Sequence, residues 1–354
     1  MPDAAKRPWT ERPLAQLVLV RVREFMREPE AVFWTFIFPV LMTAGLGIAF
    51  RSKPEETAKI AVLASAPASA ETAARLRSER HLEVRVLDDS VAAKELRTGR
   101  IALIVVPRPA GAAEYRFDDT RPEGVAARRL VDDALQRLAG RRDPVAVKDA
   151  VIREKGSRYV DFLVPGLLGM NLLGSGVWGI GFAVVDARRR RLLKRLVATP
   201  MPRSAYLASF ILSRIGLLVL EAGALLVFGV LAFGVPMRGS LAALALICVV
   251  SALAFGGVGL LVASRARTIE AATGLMNFTM VPMWVFSGIF FSSSRFPQVI
   301  QPFVQELPLI AVNNALRANM LEGATLAQVG PELAIVAAWL VVTFAVALRI
   351  FRWQ

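Results

Sequence analysis

Six runs of this chain are apolar over the roughly 20 residues that a helix needs to cross the hydrocarbon core of a bilayer. They lie at about 31–50, 161–185, 208–233, 241–263, 271–291 and 332–350. Lipid offers backbone groups no hydrogen-bond partners, so each run must close its own bonds as a helix. Charge makes up only 20% of the residues against 55% hydrophobic, and it is concentrated between the runs. The pattern predicts a polytopic α-helical membrane protein with six transmembrane helices. Gly is frequent in the second and fourth runs, as suits close helix packing in lipid. Pro39, Pro165 and Pro282 lie within or beside runs, where they can bend a helix.

Lys and Arg in the short connections set orientation. Residues 1–30, 186–205, 264–270 and the C-terminal tail are the basic segments, and with six spans they fall on one side. Both termini are therefore expected to be cytoplasmic, with the first span an uncleaved anchor. The net charge of +14 is explained by these flanks and by anionic lipid rather than by nucleic acid. Within 11–30, Leu14, Leu17, Val18, Phe25 and Met26 share much of one helical side, which predicts an interfacial amphipathic helix before the first span.

The polar insertion 51–158 falls on the outer side in this topology. Candidate strands at 59–65, 82–88, 101–107 and 113–119 alternate with candidate helices at 69–80, 90–100 and 123–140. Ser90 is the expected N-cap of the second helix, and Gly99 and Gly140 are expected stops. The alternation predicts an inserted extracytoplasmic α/β domain. The remainder, 159–354, holds spans 2–6, with a cytoplasmic hairpin at 186–205. An outer segment at 292–330 is broken by Pro297, Pro302 and Pro308, and suits short interfacial or re-entrant helices better than a span.

Chemistry-bearing motifs are sparse. The chain has one cysteine, Cys248, and one histidine, His81, and contains no phosphate-loop or H-E-x-x-H pattern. No catalytic residue, cofactor or metal site is therefore assigned, and energy for uphill transport must come from a partner or an ion gradient. Ionisable groups within spans are functional candidates by default. Glu221 stands near the middle of the third run and Arg214 lies two turns before it on the same face. The pair is open to two readings: Arg214 reaches up to the cytoplasmic surface while Glu221 packs inside the bundle with a polar partner, or Glu221 lines a substrate path or dimer contact. Asn171 and Asn277 are weaker candidates, since an amide can bond between helices for structure alone.

Two further stretches carry a resemblance. The segment 287–323, "SGIFFSSSRFPQVIQPFVQELPLIAVNNALRANMLEG", resembles the C-terminal signature of ABC-2 type exporter permeases: an SGxFFP-like run, a Leu-Pro and an LR-x-x-[ML]-x-G ending. Ser292 stands where Pro is common. The hairpin "VVDARRRRLLKRLVATPMPR" (184–203) carries seven Lys and Arg. With Ser204 it is similar to the family's cytoplasmic hairpin in its Leu spacing and its Thr199-Pro200, although "DARRRR" replaces an acidic-Gly-Thr portion. The order of elements also resembles that family over almost the whole chain.

The resemblance implies a transmembrane (permease) subunit of an ATP-binding-cassette exporter, with residues 188–203 as a coupling helix. Arg188, Arg191, Leu192, Leu193, Arg195, Leu196, Thr199 and Pro200 would then meet a separate ABC ATPase subunit, where ATP and Mg are bound. It further implies pairing with a second permease copy or a paralogue, contact with membrane lipids, a periplasmic adaptor as a further partner, and an amphipathic cargo such as a drug, lipid or glycolipid. The place is the bacterial cytoplasmic (inner) membrane. An ion-gradient-driven secondary transporter and a membrane-anchored receptor or assembly protein are the competing classes.

Overall fold

The computed structural model describes residues 13–50, 57–109, 112–142, 145, 148, 154, 156–189, 203–266, 268–290 and 296–350. The chain divides into two units, Ser52–Ile152 and the remainder on either side of it.

The first unit opens with helix α1 (Pro13–Met26), which packs along the helix that follows the basic hairpin. Arg21 Nε donates to the buried Ser209 Oγ of that helix at 3.2 Å. Helix α2 (Pro29–Ala49) is apolar and long enough to span a bilayer. Its turn Phe33–Ile37 is π-helical, and the cause is local. Pro39 has no N–H to offer the carbonyl four residues earlier, so the carbonyl of Thr35 is left without its helical partner. Asn171 Nδ2 donates to that oxygen at 3.2 Å.

The inserted unit is a four-stranded sheet, β1 (Ala58–Leu63), β2 (Leu82–Leu87), β3 (Leu103–Pro107) and β4 (Ala113–Arg116), in the order β2-β1-β3-β4. β1 runs parallel to β2 and β3, and β4 pairs antiparallel with β3. The two central strands are buried on both faces, which is why their sequences read as unbroken apolar runs. Ile60, Val62, Leu103 and Val105 face α3 (Ser69–Arg77) and α5 (Pro122–Leu138), while Ala61, Leu63, Ile104 and Val106 face α4 (Asp89–Arg97). Each parallel crossover uses a helix, as a parallel pair requires. Gly99 and Gly140 adopt φ of +72° and +96° just past α4 and α5, the left-handed geometry that favours glycine at a helix end. The expected N-cap Ser90 is corrected. α4 begins at Asp89, the capping residue is Asp88, and Ser90 lies inside the first turn. β2 stays extended through Asp88, and an acidic residue at the helix start suits the dipole.

The first unit resumes with α6 (Tyr159–Arg189), α7 (Arg203–Phe233), α8 (Leu241–Arg265) and α9 (Ile269–Phe286). The short α10 (Gln301–Gln305) and α11 (Pro308–Arg317) follow, the latter running into a π turn that ends at Gly323. α12 (Gly330–Ile350) closes the described chain. Among the described residues five helices, α2, α6, α7, α8 and α12, are long and apolar enough to cross a membrane. α9 is not among the five: it has 18 residues and carries Glu270, Asn277 and Pro282. α6 is the central element and packs on α8, α11, α9, α2 and α7. Small residues make its contact with α8. A Cβ on Gly259 would lie 2.5 Å from the Val177 carbonyl oxygen, and one on Gly176 would lie 2.6 Å from Phe255 Cβ. Backbones approach this closely only where side chains are absent, the usual way helices adhere in lipid.

Candidate functional site

Three places in the first unit gather polar side chains against apolar helices. The first is the α6–α7 seam. Arg214 and Glu221 sit two turns apart on α7 and both turn inward, with side-chain exposures of 13% and 1%. Their closest approach, Arg214 Nη2 to Glu221 Oε1, is 3.8 Å, an ion pair without a hydrogen bond. Both Glu221 oxygens, Arg214 Nε and Nη2, and Ser175 Oγ are buried without a hydrogen-bond partner among the described residues. Opposite them, α6 offers Gly179, where a Cβ would stand 2.9 Å from Arg214 Nη1. The guanidinium thus occupies the space that a side chain on α6 would fill. The structure brings these two candidates together. Asn171, two turns before Gly179 on α6, does not join them but serves the Thr35 carbonyl of α2. Asn277 is exposed on α9 beside Phe278, which is 79% exposed.

The second place lies at the start of α6. Asp161 is fully buried and accepts from the backbone N–H of Gly156 (2.9 Å) and Arg158 (3.2 Å), and from Arg158 Nε (2.9 Å) and Nη2 (2.7 Å). Arg158 Nη2 also donates to the Gly234 carbonyl at 3.1 Å, just past the end of α7. The Asp161 carboxylate pushes the Arg158 guanidinium further up from its ordinary pKa. Close by in the fold, Arg317 at the end of α11 lies 3.6 Å from the Phe162 ring centroid and donates to the carbonyls of Gly288 (2.7 Å) and Phe162 (3.3 Å). Gly166 leaves room for it, since a Cβ there would stand 3.0 Å from Nη2. The sequence signal for these residues was an Arg three positions from an Asp at a helix start, and the Arg of the LR-x-x-[ML]-x-G ending. Asp161→Asn is expected to cost about 1–3 kcal/mol, because a fully buried carboxylate that accepts four hydrogen bonds is replaced by an amide with only one accepting oxygen, while the half-exposed Arg158 can turn to water. A fall in the thermal unfolding midpoint of the detergent-solubilised protein measures it, and an unchanged midpoint would show that Arg158 finds other acceptors.

The third place is the far end of α6. Arg188 is half-buried, and its Nη1 donates to the carbonyls of Ala263 (3.2 Å) and Ala266 (3.1 Å) at the end of α8. Desolvation there pulls its pKa down from the ordinary value. The other coupling candidates, Arg191, Leu192, Leu193, Arg195, Leu196, Thr199 and Pro200, lie outside the described residues. Among the described residues, no group of three His, Cys, Asp or Glu is placed to hold a metal ion.

A bundle of bilayer-length helices with charged residues turned into its seams is a multi-pass membrane protein, and the sequence comparisons define its class. The pattern of the family described as "ABC-2 family transporter protein" matches residues 30–349, and this chain belongs to that family. Similar curated proteins include the inner membrane transport permease YadH of Escherichia coli, 25% identical over 47% of this chain and 64% of the relative. Linearmycin resistance permease protein LnrN of Bacillus subtilis is 24% identical over 49% of this chain and 45% of the relative. ABC transporter G family member 20 of Dictyostelium discoideum is 25% identical over 57% of this chain and 28% of the relative. The chain thus spans less than two thirds of the length of each of these relatives.

Proposed function

We propose that this chain is the transmembrane subunit of an ATP-driven exporter, moving an amphipathic drug, lipid or glycolipid outward. The observation that carries the proposal is the family match, which runs from the first span to the last. α9 acts as a sixth span in this reading, so that both termini and the basic hairpin between α6 and α7 share the cytoplasmic side. The α/β unit stands outside the bacterial inner membrane, available to an adaptor. Two copies, or one copy and a paralogue, enclose the pathway. Two ATPase subunits bind ATP and Mg below them and close on each other, and the hairpins convey that closure to the spans as a rigid-body shift. A relative named for linearmycin resistance is in keeping with a drug-like cargo.

The test is co-purification in mild detergent from native cells, with bound proteins identified and assayed for ATP hydrolysis. A stoichiometric ATPase is expected with the native chain. Its loss is expected when Leu192, Leu193 and Leu196 are all replaced by Asp, because an apolar face seated in a partner's cleft cannot accept three carboxylates. A gradient-driven carrier is the second reading, favoured by the buried carboxylate of Glu221. Absence of any ATPase across several detergents would select it.

A further inference from the structure

We infer that Arg188 is a positioning residue that ties the end of α6 next to the hairpin to the end of α8, close to the start of α9, so that motion arriving at α6 is passed on to its neighbours; this rests on the coupling role proposed above for the hairpin. Arg188 lies in the last described turn of α6 and reaches across to α8. There the last carbonyls have no partners within their own helix. One nitrogen serves both Ala263, in the final turn, and Ala266, the capping residue. Both alanines are almost fully buried, at 0% and 2% exposure, so this end of α8 is packed in place. A cation at a helix C-terminus also complements its dipole.

The connection from α8 to α9 is short, and the residues at its two ends are fixed. Ala266 is extended, and Thr268 caps α9 by accepting from Ala271 N–H at 3.2 Å. Arg188 therefore holds a carbonyl only two residues from the cap of α9. Further along, α6 lies against α8 through Gly176 and Gly259, and Gly181 lies directly against the Met276 side chain of α9. α6 thus packs against both α8 and α9, and Arg188 adds a polar tie to α8 at the end nearest the hairpin. An arginine whose Nη1 holds two backbone carbonyls at the end of α8 acts on that helix directly. Its part is to transmit.

The experiment uses the chain with its co-purified ATPase. Cys248 is replaced by Ala, and a single reporter cysteine is placed either at Val197 in the hairpin or at Arg265, exposed at the end of α8. Maleimide labelling rates are compared with and without a non-hydrolysable ATP analogue. In the parent, nucleotide is expected to change labelling at both positions by about fivefold or more, the low end of ordinary allosteric coupling. Arg188→Ala is expected to keep the ATPase bound and keep the response at 197, and to lose it at 265. Arg188→Lys, which still offers donors to both carbonyls, is expected to restore much of it. A response at 265 that survives Arg188→Ala would overturn the inference, as would loss of the ATPase itself, which would make Arg188 a docking residue. No response at either position in the parent would remove the coupling role and this inference with it.

Discussion

Gly259→Leu is expected to abolish recovery of folded, monodisperse protein. The position faces backbone and not a movable side chain: a Cβ there would stand 2.5 Å from the Val177 carbonyl oxygen, 2.9 Å from Val177 Cα and 3.1 Å from the Gly176 oxygen. No rotamer change relieves such contacts, so α6 and α8 must separate. Overpacking a well-filled core costs about 1–3 kcal/mol even where side chains can yield, and here they cannot. Even Gly259→Ala should lower the thermal midpoint measurably. Gly223→Ala on α7 is the control, because its added methyl would meet nothing within 4 Å. Size-exclusion profiles and thermal unfolding of the three variants in one detergent decide the matter. A Gly259→Leu protein that elutes and melts like the parent would show that the α6–α8 seam has slack.

Glu221→Leu is expected to destabilise the bundle by about 3–5 kcal/mol, since it strands Arg214 as a buried, unpaired cation. Arg214→Met alone should do comparable harm by stranding the carboxylate. The double variant should recover most of the loss, because an apolar pair of similar volume in a seam is often as stable as an ion pair. The 3.8 Å separation and the unbonded atoms around it favour that recovery, since this pair gains little from hydrogen bonding. Thermal midpoints of the two single variants and the double form a complete cycle. Glu221→Gln separates structure from transport. If Glu221 lines a path, that variant folds and transports differently; wild-type transport would return the residue to packing alone.

Much of this architecture was legible in residue order because length and period carry it. Apolar runs of bilayer length announced α2, α6, α7, α8 and α12, and the strand–helix alternation of the insertion placed β1 to β4 within a few residues of their observed bounds. The spacing of two helical turns put Arg214 and Glu221 on one face, but not the inward turn of Arg214 toward Glu221, which rests on the space left by Gly179 on another helix. Asn171 and Asn277 were not separable in the same way. Each is an amide in an apolar helix, and when every face is apolar no hydrophobic stripe fixes the rotation about the axis. The fold turns one toward a carbonyl on α2 and the other outward. Arg188 opens a run of four arginines, and nothing local marks its role. What places it is the end of α8, which the chain reaches only after two more long helices.

The bond from Asn171 to Thr35 joins helices separated in the chain by the whole inserted domain. Its existence depends on Pro39, since a residue with an N–H at that position would compete for the same oxygen. Proline and amide therefore act together from two distant places in the chain: one leaves the Thr35 carbonyl without its N–H four residues on, and the other donates to it. The first unit is thus stapled to itself across the insertion, by a bond in which no residue of the inserted unit takes part.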